Sequence, residues 1–133
     1  MESEIRKAAF QHVNALAASL SLPVYWPNVS ISGNPADQHI RVSVLNVEPE
    51  VLTTEGGSRH QWILQLSVYV RDGVGEIVPA DYASSLQAGL PFNTKLQSIN
   101  YQYQTTKPGQ VISPLKTDGW YIVPVQFRLQ TIN

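Results

Sequence analysis

The spacing of apolar residues divides the chain into a small number of elements. Ile5, Ala9, Val13, Leu16 and Leu20 recur at three- and four-residue steps, which predicts an amphipathic helix over 3–20. Ser3 is placed to cap it, and Glu4 lies near the positive end of its dipole. Pro23 stops the helix and pushes Leu22 into an extended conformation. A short extended piece over 24–26 then leads through Pro27 into a loop over 28–38, rich in Ser, Asn, Gly and Pro.

Alternation with a period of two follows. Over 39–47, Ile40, Val42 and Val44 alternate with Arg41 and Ser43. The phase then slips, because Leu45 and Val47 are apolar, and a bulge near Val44 and Leu45 is the expected cause. The strand over 61–70 is the clearest in the chain. Trp62, Leu64, Leu66, Val68 and Val70 share one face, with Gln61, Gln65, Ser67 and Arg71 on the other; Ile63 and Tyr69 are its apolar exceptions, a sign of partial cover. Between these strands, 50–59 with Gly56 and Gly57 reads as a long hairpin connection. Asp72–Gly73–Val74–Gly75 turns the chain, and a second helix is expected over 79–90, with Pro79 at its first position and Tyr82, Leu86 and Leu90 on one face.

The last third reads as a meander of three strands over 99–104, 111–116 and 120–131. Pro108–Gly109 suggests a type II turn between the first two, and Asp118–Gly119 a tight hairpin between the last two. In the final strand Tyr121, Val123, Val125, Phe127 and Leu129 share a face. Pro114 and Pro124 fall inside strands, so each must meet an irregularity or an edge. The order α-β-β-β-α-β-β-β predicts an α+β fold, a mostly antiparallel sheet with two helices packed on it. A length of 133 residues suits one domain, 1–133.

Composition changes this picture in one respect. Charged residues are 14%, against about 25% in an average domain. Gln, Asn, Ser and Thr, 37 residues together, stand in their place. Depletion of charge is a property of interface cores, so the neutral polar surface fits either a monomer or an assembling subunit. A net charge of -1 with scattered Lys and Arg argues against a nucleic-acid or membrane-surface partner. The absence of cysteine excludes disulfides, thiolate metal sites and a cysteine nucleophile. The acidic start MESEIRKAAF does not read as a signal peptide, and no apolar run approaches membrane-spanning length.

Catalytic chemistry finds little to build on. His12, His39 and His60 are too far apart in the expected topology to share a metal ion, and no HExxH spacing is present. Ser58 lies two residues from His60 but lacks an orienting acid and a nucleophile elbow. GVGE over 73–76 has neither a third glycine at the phosphate-binding offset nor a GK[ST] ending. The acids fall in or near turns. Tyr101 and Tyr103 could stack bases but lack basic companions. Trp26, Trp62 and Trp120 read as core anchors. No cofactor and no enzymatic activity are expected.

The pattern of elements, the leading helix EIRKAAFQHVNALAASL, the YWPN segment, the hairpin RVSVLNVEPEVLTTEGGSRHQWILQLSVYVRDGVG and the closing DGWYIVPVQFRLQT together resemble the phage tail-terminator-like family, small proteins related to the minor tail protein U of lambda-type phages. The resemblance implies a virion component assembled in the bacterial cytoplasm, in which copies of the chain form a ring, usually of six. Such a ring caps the tail tube protein and faces the head–tail connector. Another head–tail joining or tail tube subunit is the alternative, and a small ligand-binding domain is a further one. A ring needs a head-to-tail interface. The segment Val51, Leu52, Thr53, Thr54, Glu55, Gly56, Gly57, Ser58 and Arg59 is the expected subunit contact, mobile in the free chain and ordered against a neighbour.

Overall fold

Three long strands and two helices supply nearly all of the apolar surface, and they meet in a single layer of side chains. The computed structural model describes residues 2–27, 35–51, 58–97 and 102–132. Helix α1 (Glu2–Leu20) buries Ile5, Ala8, Ala9, Val13 and Ala17, with Phe10, Leu16 and Leu20 packed at the margin. It begins at Glu2, so Ser3 lies inside its first turn rather than before it. It ends before Pro23 acts. Ser21 takes a left-handed φ of 57°, its N–H donates to Ala18 O (3.2 Å), and the Leu22 N–H donates to Ala17 O (3.0 Å). This pair of bonds closes the helix end while Leu22 inserts into the core, the arrangement usually served by glycine.

Strand β1 (Val24–Tyr25) runs parallel to β2 (Gln38–Val51), which pairs antiparallel with β3 (Ser58–Arg71), and β3 pairs antiparallel with β8 (Trp120–Ile132). The β2–β3 register runs unbroken from Gln38↔Val70 to Val47↔Gln61 and shifts only between Val47 and Glu50. The bulge expected at Val44–Leu45 is therefore absent. The irregularity falls instead where Pro49 has no N–H to give the ladder, and Leu45 stays on the face of Arg41 and Ser43, 51% exposed.

The inner face of these strands carries Ile40, Val42, Val44, Trp62, Leu64, Leu66, Val68, Val70, Val123, Val125, Phe127 and Leu129, all buried beneath the helices. Helix α2 (Ile77–Gly89) starts two residues earlier than its sequence pattern suggests. Pro79 remains in the first turn, where its missing N–H costs no helical bond. The helix buries Pro79, Ala83 and Leu86, followed by Leu90 at its C-cap. Gly89 lies hard against Leu16 of α1, where a Cβ would collide with the leucine's Cδ2. The imidazole of His12, through Nε2–H, donates to Gly89 O (2.9 Å) and satisfies a carbonyl at the end of α2.

The last third is more subdivided than the sequence suggests, although the overall α-β-β-β-α-β-β-β order holds. A short β4 (Lys95–Gln97) pairs with β5 (Gln102–Thr105), and β5 joins the far end of β8. The first part of the strand expected over 99–104 lies outside the described residues. The strand expected over 111–116 is broken into β6 (Gln110–Val111) and β7 (Leu115–Thr117), with Pro114 in the break. This accommodates Pro124 as well. Ile112 N–H donates to Pro124 O (2.9 Å), so the proline's carbonyl side, where its N–H would be, faces the gap between β6 and β7. Asp118 and Gly119 both take positive φ (51° and 82°), as the predicted two-residue hairpin requires. Gly109 does not, so the type II turn expected at Pro108–Gly109 is not formed. Gly109 is instead buried against the Phe127 ring, 2.5 Å from where a Cβ would stand. The sheet order is β1-β2-β3-β8-β5-β4, with β6 and β7 also on β8.

Candidate assembly surface

Both helices cover one face of the sheet. Pleating and register place the remaining side chains of β2, β3 and β8 on the other face in rows. From one end to the other these rows are His39, Tyr69 and Ile122; Arg41, Ser67 and Pro124; Ser43, Gln65 and Gln126; Leu45, Ile63 and Arg128; and finally Gln61 with Gln130. None of these positions carries a carboxylate. The centre is an amide network: Gln126 Nε2 donates to Gln65 Oε1 (2.9 Å), and Gln65 Nε2 donates to Ser67 Oγ (3.2 Å). The partial cover expected over Tyr69 comes from the sheet's own aromatic groups at one end; the rest of the face is bare of described helices, with Ser67 and Pro124 buried among the partly exposed Ser43, Ile63, Gln65 and Gln126.

That end is built around His39, which is fully buried although it sits on the outer face. Its ring stacks on Tyr69 (4.9 Å) and meets Tyr25 (4.7 Å) and Trp120 (5.0 Å) edge-on. Nδ1–H donates to Ala36 O (2.8 Å), and Nε2 accepts from Arg41 Nε (3.1 Å), which fixes the neutral ring. Burial lowers its pKa from 6.5, opposed by the bond to Ala36 and reinforced by the charges of Arg41 and Arg71. Arg41 lies over Tyr69 (4.3 Å) and Arg71 over Trp120 (3.9 Å), and Arg71 also pairs with Asp37 at 3.2 Å. Nothing in the periodicity of the sequence marks His39 for this role. The only signal is the clustering of Tyr25, Tyr69 and Trp120 near strand ends, which needs the register to be read.

The expected contact segment lies at the opposite end. Val51 pairs with Ser58 and Glu50 with Arg59, closing the β2–β3 ladder. Leu52, Thr53, Thr54, Glu55, Gly56 and Gly57 lie outside the described residues, so their expected mobility lies there too. The structure does not bring the three histidines together. His12 serves a helix end, His39 fills the aromatic cluster opposite Tyr69, and His60 stacks on Trp62 (6.3 Å) far along β3. Among the described residues no three His, Asp or Glu side chains converge as metal ligands. Asp72, Gly73, Gly75, Glu76, Lys116 and Tyr121 line one shallow depression, where Lys116 approaches Asp72 at 3.5 Å on exposed surface. Phe10 and Trp26, with ring centroids 4.8 Å apart, border another. Neither joins a nucleophile to a base. Of the tryptophans, Trp62 is a core anchor beside Tyr103 (5.6 Å), Trp120 belongs to the outer cluster, and Trp26 is half buried at the margin of the core. No described helix is long and apolar enough to cross a membrane.

Two solved structures share this fold over almost their whole length. One chain, described only by an identifier, superposes with a TM-score of 0.81 at 21% identity, covering 100% of this chain and 96% of its own. A chain from the virion of a native gene transfer agent particle superposes with a TM-score of 0.71 at 16% identity, covering 98% of this chain and 96% of its own. No curated protein matches the sequence. A family model for phage tail terminator proteins matches residues 4–128, from the first turn of α1 nearly to the end of β8, and the chain therefore belongs to the phage tail terminator family.

Proposed function

We propose that this chain, a structural protein of the phage tail, is the subunit of a closed ring, most simply a hexamer, that ends a tail tube and presents its other side to the head–tail connector. The observation that carries this reading is the family match across 4–128; the fold shared with a chain of a gene transfer agent virion supports it. Physical features of the domain agree with it. The sheet leaves one wide face without helices, and that face is largely uncharged. Neutral amides cost far less to bury than ions do, so such a face can enter an interface without a large desolvation penalty. The β2–β3 hairpin end, Val51 to Arg59, is the proposed second contact between neighbours. Its partners are other copies of the chain, the tail tube protein and the connector, met in the bacterial cytoplasm during virion assembly. Membership in this family supports a role in assembly rather than in catalysis.

The test is the mass of the assembled species, by light scattering, together with negative-stain images of the chain alone and mixed with purified tube ends. Closed rings, with a mass near six times the 14.8 kDa subunit, are expected on tube ends. Open-ended polymers would instead favour a tube or joining subunit, and a chain that stays monomeric and leaves tube ends uncapped would refute the reading. Deleting 53–58 is expected to leave the unfolding midpoint close to that of the intact chain and to weaken assembly. Normal ring formation by the deletion variant would remove the hairpin from the interface.

A further inference from the structure

The bare sheet face carries two arginines, Arg41 and Arg128, among neutral residues, the 72–76 turn and α2 carry three acids, and we infer that these two patches meet between copies. The bare sheet face of one subunit receives the 72–76 turn and the start of α2 from the next. This inference rests on the ring reading and names the contact that would build the ring.

The sheet face supplies Arg41 and Arg128, with no carboxylate in its rows, and Leu45 stands 51% exposed beside Ile63. The turn between β3 and α2 supplies Asp72 and Glu76, α2 supplies Asp81, and α2 itself contains no basic residue. Lys116 offsets Asp72 (3.5 Å) but leaves Glu76 and Asp81. Beside these acids stand two further exposed apolar side chains, Val74 at 46% and Ile77 at 76%. Each surface thus combines an unneutralised charge with an exposed apolar side chain, and the signs are opposite. Opposite charge steers partners together and penalises like surfaces that meet in the wrong pairing.

A second copy is the occupant this arrangement selects, because one chain carries both halves of the match. The position of the halves decides the symmetry. Helix α2 buries Pro79, Ala83 and Leu86 against the inner face of the sheet, so its N-cap Glu76 and its exposed Asp81 lie in the layer opposite the bare face. Surfaces on opposite layers repeat from subunit to subunit in one direction, which is the head-to-tail contact that closes into a ring when the rotation fits.

The experiment uses two charge reversals in the full chain. The sheet variant carries Arg128→Glu and Gln130→Glu; the helix variant carries Glu76→Lys and Asp81→Lys. Each alone would set like charges against each other at every contact, and assembly should weaken by roughly tenfold or more. Mixed in equal amounts, the two variants can alternate with opposite charges at every contact. The mixture, and a chain carrying all four changes, should return the discrete wild-type mass. Urea unfolding of each variant checks the fold. Where a reversal shifts the midpoint, the neutral pair Arg128→Gln and Asp81→Asn carries the test, with partial weakening expected. Either reversal assembling like wild type would overturn the inference, and so would a mixture that stays monomeric while wild type forms rings. A wild-type chain that forms no ring, even on tube ends, would overturn the ring and this contact together.

Discussion

Along β3, Trp62, Leu64, Leu66, Val68 and Val70 are 3% exposed or less, while of the residues one out of phase Gln61, Ile63, Gln65 and Tyr69 remain partly exposed and only Ser67, at 7%, is buried. The two faces share one backbone and one register, so backbone hydrogen bonding cannot distinguish them. What differs is what each face is for. The inner face removes apolar area from water within the single chain, worth about 25 cal/mol per Å². The outer face holds amides that bond one another, Gln126 to Gln65 to Ser67, and so tolerates either water or a neighbour. A charged outer face would keep the chain soluble but would make later burial expensive. An apolar one would invite indiscriminate association.

The largest effect should come from the inner face. Leu66→Ala removes a fully buried side chain from the centre of the sheet and is expected to lower stability by about 2–5 kcal/mol. Urea unfolding measures it, and a loss under about 1 kcal/mol would mean that the inner face is not the packed core described. Next comes pH dependence, which probes the one place where the outer face is closed. The folded pKa of His39 lies below its unfolded value of 6.5, so the neutral ring is the favoured form in the native state. Its contribution is present in full above that value and is lost as pH falls through the lowered folded one. Unfolding midpoints should drop between pH 7 and pH 5, and His39→Gln should flatten the drop. An identical slope in the variant would show that the aromatic cluster does not respond to protonation. The smallest effect belongs to the middle of the outer face. Gln65→Ala should change monomer stability by no more than about 1 kcal/mol, because the partly exposed Gln126 can turn to water and Ser67 loses only a neutral partner. A loss comparable to that of Leu66→Ala would erase the contrast between the faces.

Much of this was legible in the sequence because it depends on short-range periodicity. The helix stripe Ile5–Ala9–Val13, the alternation of β3 and the left-handed pair Asp118–Gly119 are each set by a few neighbouring residues. The misreadings have a common origin in contacts between distant segments. Leu45 looked like a change of phase because apolar side chains are expected to face inward, whereas it stays exposed on the outer face in unbroken register with Ile63. Gly109 looked like a turn glycine because Pro108 precedes it, whereas its reason is the Phe127 ring against it. His39 looked unremarkable because Tyr25, Tyr69 and Trp120 approach it only after three strands align.

The sequence by itself determined most of the residues that turn inward along α1, β3 and β8 and the reversal at Asp118–Gly119, since periods and turn residues are local facts. The tertiary structure decided how the strands are ordered, that both helices lie on one side, and that the described rows left over on the other face carry no carboxylate. Those are consequences of long-range pairing and of which layer covers which, and no window of neighbouring residues contains them.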